Sequence, residues 1–324
     1  MSIFQSNYFD LQELAAGVYA AIAKENSGAA SNAGLVDLGD RTLVFDTFLI
    51  PAAAADLRAA AVRLTGRAPA TIINSHWHSD HIRGNQVFAV GELRSHLHTA
   101  TIIATPRTYE LMATTGVERL AWEQANAPGL LAEKEAQLAA TTDAATRQAL
   151  AAELAHFRPV VAALPEVTPR LPHQTFERRL TGHGSRRMVE IITFGGGHTD
   201  SDAILYLPDD GLAFVADLLF VGCHPWLGNG HPEEWIRILD ELKELPVTTY
   251  VGGHGPPGTK EDLSLIQRYI PALAELAAEV AANGGSADDA AVQPVPAPLA
   301  GLANLLDTYA SNMRFLYGRA TQPT

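Results

Sequence analysis

The segment Ser75-His76-Trp77-His78-Ser79-Asp80-His81 follows directly on the apolar run Thr71 to Asn74, and places four potential metal ligands within six residues. Side chains two apart in extended chain share a face, so His76 and His78 can converge on one point. Asp80 and His81 come one step later, where a turn would aim them at a second point. Imidazoles and carboxylates gathered this densely are the donor set of a metal site. A polar surface loop would account for the composition but not for its place at the end of an apolar strand. Three further candidates sit in similar places. His198 follows Gly195-Gly196-Gly197, Asp217 ends the run Ala213 to Ala216, and His254 follows Val251-Gly252-Gly253. Taken singly, each reads more readily as a satisfied polar residue. Taken with the cluster, they complete two coordination shells at the strand-end loops where such folds assemble their sites.

The elements that must position these residues are legible in outline. Leu14 to Ala23 reads as a strand, since Asp10 and Glu13 stand where a signal peptide would be basic. Gly17 to Ile22, Gly34 to Val36 and Leu43 to Phe45 are β-like, with a turn at Asp37-Leu38-Gly39-Asp40. Pro51 to Leu64 is an Ala-rich helix stopped by Gly66. A strand near Thr101 to Ala104 precedes a stretch, Pro106 to Arg170, whose Ala, Glu, Gln and Leu recur at helical spacing, and Pro165, Pro169 and Pro172 end it. Strands resume at Met188 to Phe194, Ala203 to Leu207 and Ala213 to Ala216, with a turn at Pro208-Asp209-Asp210-Gly211 between the last two. Pro232 to Leu245 is a helix, and Val247 to Val251 a strand. Two helices, about Lys260 to Ala282 and about Leu299 to Tyr317, are joined by a linker, Asn283 to Pro298, whose Gly, Ala, Asp and Pro predict mobility.

The chain has 324 residues, 47% hydrophobic and 18% charged, enough to bury a large core. Its 23 basic and 36 acidic residues leave a net charge of −13, which disfavours a nucleic-acid partner. The one cysteine, Cys223, rules out an intrachain disulfide and fits the cytoplasm weakly. No apolar run reaches the roughly 18 residues of a spanning helix, so no membrane partner is expected.

The set resembles the metallo-β-lactamase superfamily. The matching residues are the His76 to His81 motif, Gly197-His198-Thr199-Asp200, Ala216-Asp217 and Gly253-His254-Gly255, with Asp46 fitting the first motif, over roughly Leu14 to Pro257. The resemblance implies an α/β fold, a four-layer αββα sandwich with its site at one edge between two sheets. It would form a catalytic domain over residues 1–260 that includes the helical insertion at about 106–170. Residues 261–324 would be a helical extension packed on the same domain. It further implies that His76, His78 and His198 hold one metal, that Asp80, His81 and His254 hold a second, and that Asp217 bridges both. Two zinc ions per chain suit these donors, and iron or manganese would also fit. The pair would hold a bridging hydroxide as nucleophile, with Asp80 orienting it and Asp46 orienting a histidine.

Other residues are weighed against this site. His96-Leu97-His98 has the same spacing but no acidic partner, and reads as a surface pair. Cys223 reads as a small buried residue; cysteine-using β-lactamases of this family carry their cysteine where this chain has Asp217. His224 and Trp226 would line a substrate pocket, with core packing the even alternative. His156, His173, His183 and His231 read as surface histidines. The expected reaction is hydrolysis of an ester, thioester, lactone or amide bond of a small molecule, in the branch that includes polyketide thioesterase/cyclase-like and uncharacterised hydrolases. Glyoxalase II ranks lower, because the tail lacks a basic patch. The alternatives are a mononuclear iron dioxygenase of the persulfide dioxygenase type and a β-lactamase-like amide hydrolase. A non-catalytic binding protein would have lost a ligand, and all seven are present. The insertion could form a lid or the interface of a homodimer.

Overall fold

The computed structural model describes residues 4–89 and 100–322. The His96-Leu97-His98 pair lies outside them. The strands are β1 (Phe9–Ala15), β2 (Val18–Ala23), β3 (Ala33–Asp37), β4 (Thr42–Phe45), β5 (Thr71–Ile73), β6 (Thr101–Ala104), β7 (Gln174–Thr175), β8 (Arg179–His183), β9 (Met188–Gly195), β10 (Asp202–Leu207), β11 (Leu212–Phe220) and β12 (Thr249–His254). The helices are α1 (Pro51–Thr65), α2 (Ser79–Ile82), α3 (Asn85–Phe88), α4 (Pro106–Leu111), α5 (Val117–Ala140), α6 (Ala144–Ala163), α7 (Pro232–Glu244), α8 (Lys260–Ala282), α9 (Ala287–Ala291) and α10 (Thr308–Ala320). Among the described residues, β1 to β7 form one sheet in chain order, and a second sheet runs β12-β11-β10-β9-β8. The chain divides into two compact units, Met1–Ile192 with Leu205–Asp210, and Thr193–Ile204 with Gly211–Thr324.

In the first unit, β1 to β4 pair antiparallel and β4 to β7 pair parallel. Strands covered on both faces read as continuous apolar runs; Val44, Ile72 and Ile102 are fully buried. Helix α1 makes the crossover from β4 to β5. It starts on a proline, whose missing N–H costs nothing there, and stops at Gly66 with φ +72°. Phe45 pairs with Ile73, so the residues that leave these two strands, Asp46 and Asn74, emerge side by side. The insertion is helical as predicted, running through α4, a π-helical turn at Met112–Gly116, α5 and α6. It packs on the α2–α3 segment: Arg83 pairs with Glu123, and Asn85 Nδ2 donates to the Arg170 carbonyl at 3.2 Å.

In the second unit, β11 and β12 run parallel, and the register shifts on either side of Ala216, which has φ +44°. Such a bulge re-aims the next side chain. Helix α7 buries Trp235, Ile238, Leu239 and Leu242, and α8 buries Leu263, Ile266, Tyr269 and Leu273.

Several expectations need correction. Strand β11 does not end before Asp217 but runs through it to Phe220, because the bulge at Ala216 lets the strand continue while turning the carboxylate inward. The Asn283 to Pro298 segment contains α9, held by a reciprocal cap between Ser286 and Asp289 and burying Ala290 and Ala291. The last helix begins at Thr308, since Leu306 and Asp307 take positive φ and break the run before it. No helix among the described residues is long and apolar enough to cross a membrane.

Candidate metal centre

Asp46 leaves β4 with φ +60° and is 1% exposed. Its carboxylate accepts from Ser75 N at 2.8 Å and Ser75 Oγ at 2.7 Å, and its Oδ2 lies 2.8 Å from His81 Nδ1. Burial pushes the Asp46 carboxyl above its usual range, while His81 and Ser75 pull it back down. Ser75 Oγ spends its proton on Asp46, so it must accept at its 2.9 Å contact with His76 Nδ1. Both histidines therefore carry hydrogen on Nδ1, and a neutral ring in that tautomer keeps its lone pair on Nε2. The His78 ring lies 4.7 Å from that of His76, centroid to centroid, and the His81 ring 4.2 Å. The turn α2 brings Asp80 Oδ2 to 3.5 Å from His81 Nε2. This segment is fastened from behind by reciprocal amide bonds between Asn74 and Asn85, at 3.1 and 2.8 Å, and by Thr47 Oγ1, which reaches Asn85.

His198 is fully buried in the loop between β9 and β10. Asp202 holds this loop, accepting from Gly197 N at 2.8 Å and Thr199 Oγ1 at 2.7 Å; burial nonetheless raises its pKa to about 6. His198 Nδ1 lies 3.1 Å from the Trp226 carbonyl oxygen, which can only accept, so this imidazole too carries its hydrogen on Nδ1. One oxygen of Asp217, Oδ2, lies 3.2 Å from His198 Nε2 and 3.4 Å from His254 Nε2. The His254 ring stacks on Phe220, at 4.9 Å and 9°. Gly253 is required here, since a Cβ on it would sit 1.8 Å from Asp217 Oδ1.

Within the first unit His76, His78, Asp80 and His81 stand together, and within the second His198, Asp217 and His254 do. The chemistry of these donors fits a metal ion. His81, His198 and His254 each turn Nε2 toward a carboxylate oxygen at 3.2–3.5 Å. For His81 and His198 that nitrogen is a lone pair, and two electron-rich atoms so close repel unless a cation or proton lies between them. Donors bonded to one ion at about 2.0–2.2 Å in a tetrahedron stand roughly 3.3–3.6 Å apart, which is this spacing.

A family model for the Metallo-beta-lactamase superfamily matches residues 27–254. The chain belongs to the metallo-beta-lactamase superfamily. The solved metallo-beta-lactamase from Pontibacter korlensis superposes with TM-score 0.57 at 15% identity, over 81% of this chain and 99% of that one. The DIM-1 metallo-beta-lactamase does so with TM-score 0.56 at 15% identity, over 82% and 98%. At that identity the likeness establishes the fold, an α/β sandwich of this superfamily. Two curated relatives, both named hydroxyacylglutathione hydrolase, come from Synechococcus sp. strains JA-3-3Ab and JA-2-3B'a(2-13). They are 36% and 34% identical over 84 residues, 25% of this chain. The chain spans about a third of the length of these relatives, 33% in each case.

The remaining candidates separate clearly. Cys223 is buried, and its thiol is pushed up to about 11 by burial and by Asp217. His224 is buried against Tyr269 and Tyr309, with Nδ1 3.0 Å from the Tyr269 hydroxyl, so it packs among the C-terminal helices. Trp226 is 38% exposed. His231 lies at the surface, 2.9 Å from Asp200. Sequence reasoning missed Ser75, Asn85, Asp202, Tyr269 and Asn312. Asp202 carried a signal, four residues after His198 in a turn-forming stretch. Asn312 carried none.

Proposed function

We propose that this chain is a metal-dependent hydrolase that cleaves an ester, thioester, lactone or amide bond of a small molecule. The observation that supports this best is that His76, His81 and His198 each have Nδ1 held by an oxygen, leaving Nε2 as the donor. His76, His78 and His198 would hold a first ion and Asp80, His81 and His254 a second. Asp217 would serve both, since its Oδ2 approaches the Nε2 atoms of His198 and His254. Metal bound there would supply Lewis acidity and a water that ionises near neutral pH. The chain's own contribution is positional. Asp46, through His81 and Ser75, keeps two imidazoles in one tautomer, and Asp80, with its side chain 21% exposed, is the carboxylate placed to orient water and take up a proton. The similarity to hydroxyacylglutathione hydrolases puts thioesters first among substrates to try.

Elemental analysis and a hydrolysis panel of thioesters, lactones, phosphodiesters and β-lactams test this reading. Two zinc ions per chain with acyl hydrolysis, lost on chelation and restored by zinc, are expected. One iron per chain with oxygen consumption would replace it by an oxygenase, and activity on phosphodiesters alone would overturn the acyl class.

A further inference from the structure

We infer that Asn312, on the C-terminal helix α10, is a positioning residue for His198 and acts through the Trp226–Leu227 peptide. The inference rests on reading His198 as a metal ligand. The carbonyl of that peptide accepts from His198 Nδ1 at 3.1 Å, and its N–H donates to Asn312 Oδ1 at 2.9 Å. The two groups belong to one rigid planar unit and point in opposite directions. His198, the peptide and Asn312 thus form a single hydrogen-bonded chain, in which each bond polarises the next.

The chemistry of the partners fixes the orientation of the Asn312 amide. Leu227 N can only donate, so the atom facing it is oxygen. The other end, Nδ2, donates to the Pro225 carbonyl at 2.6 Å and to the Tyr269 hydroxyl at 3.0 Å. Asn312 is fully buried, and its side chain makes three hydrogen bonds. It therefore grips the backbone on both sides of Trp226. Accepting from Asn312 leaves the Tyr269 hydroxyl its own hydrogen for His224 Nδ1, 3.0 Å away, and the lowered pKa that burial gives His224 agrees with a neutral ring there. The loop that supplies the His198 acceptor is thereby clamped by α8 and α10, elements that contribute no ligand themselves.

The clamp has a consequence for His198. Without Asn312 the Trp226–Leu227 peptide loses the hydrogen bond that fixes its plane, and the acceptor that selects the His198 Nδ1 tautomer is no longer held in line. A histidine with hydrogen on Nε2 offers no lone pair toward Asp217 and does not ligate there. Outer partners of this kind change metal affinity by about 10–100-fold when removed.

The test compares the 324-residue wild-type chain with Asn312→Leu, Asn312→Asp and Leu316→Ala. Leu316 is buried one turn beyond Asn312 on α10, and its truncation loosens the packing while keeping the groups that hydrogen-bond the peptide. Long-range proton–nitrogen NMR of the histidine rings, on metal-free protein, reads the tautomer, and a cobalt titration reads affinity. Hydrogen on His198 Nδ1 is expected in the wild type, in Leu316→Ala and in Asn312→Asp, which keeps the acceptor for Leu227 N–H. Asn312→Leu should show mixed or Nε2 protonation and bind cobalt about 10–100-fold more weakly. Nε2 protonation in the wild type, unchanged tautomer and affinity in Asn312→Leu, or equal losses in Leu316→Ala would overturn the inference. If Asn312→Leu does not fold, the tautomers of the wild type and Asn312→Asp decide. A wild type that binds no cobalt overturns the metal-centre reading alone, because the tautomer is measured without metal.

Discussion

Gly253 and Asp217 show how closely the centre is packed at the scale of single atoms. A methyl group on Gly253 would overlap Asp217 Oδ1 at 1.8 Å, and the residue lies inside β12, where the backbone has little freedom to withdraw. Gly253→Ala should therefore displace the carboxylate that approaches both His198 and His254. Bound zinc, measured by equilibrium dialysis, should fall below the wild-type content, and undiminished zinc would show that Asp217 is dispensable. Cys223 makes the opposite case. Its pKa near 11 leaves almost no thiolate at neutral pH, and the thiolate is the nucleophile. Cys223→Ser should leave hydrolysis and metal content unchanged, whereas loss of activity with metal retained would point to a covalent mechanism. The clustered histidines and aspartates were legible in the sequence because metal chemistry demands rare residue types crowded at strand ends. The residues that hold them were not. Ser75, Asn85 and Asn312 are common types, and only the fold brings Asn312 to the loop before Leu227.

Among the elements, long apolar or helical runs such as α1, β5, the insertion and α8 stood out by periodicity. Strand β8 did not, since Arg179–His183 alternates exposed and half-buried residues on a polar edge. Helix α9 was obscured by composition, although Ser286 and Asp289 carry the spacing of a helix cap. The loop before β10 is held by Asp202, whose buried carboxyl has its pKa raised from 3.8 to about 6. The folded state thus keeps a proton that the unfolded chain releases between these values. Stability from this group is fully present below about pH 4 and is lost as pH rises through about 6. The difference in urea midpoint between metal-free wild type and Asp202→Asn should shift against the wild type from pH 4 to pH 7. A difference that does not change with pH would mean that Asp202 stays charged in the folded protein.

For the molecule as a whole, the net charge of −13 means that the folded chain carries a self-repulsion. A cation that binds the folded state and not the unfolded chain offsets this repulsion and stabilises by mass action, by about 2.7 kcal/mol at a hundred times its dissociation constant. Zinc should therefore raise Tm and a chelator lower it, with the increase growing as free zinc rises. His76 is 1% exposed, so His76→Ala carries a packing cost of its own that lowers Tm even without metal. The informative quantity is the shift on adding zinc. It should shrink markedly in His76→Ala, because one of the donors proposed for the first ion is gone. It should persist in Leu316→Ala, which also loses packing but leaves every donor in place. Equal zinc-induced shifts in His76→Ala and the wild type would show that the stabilising ion binds elsewhere.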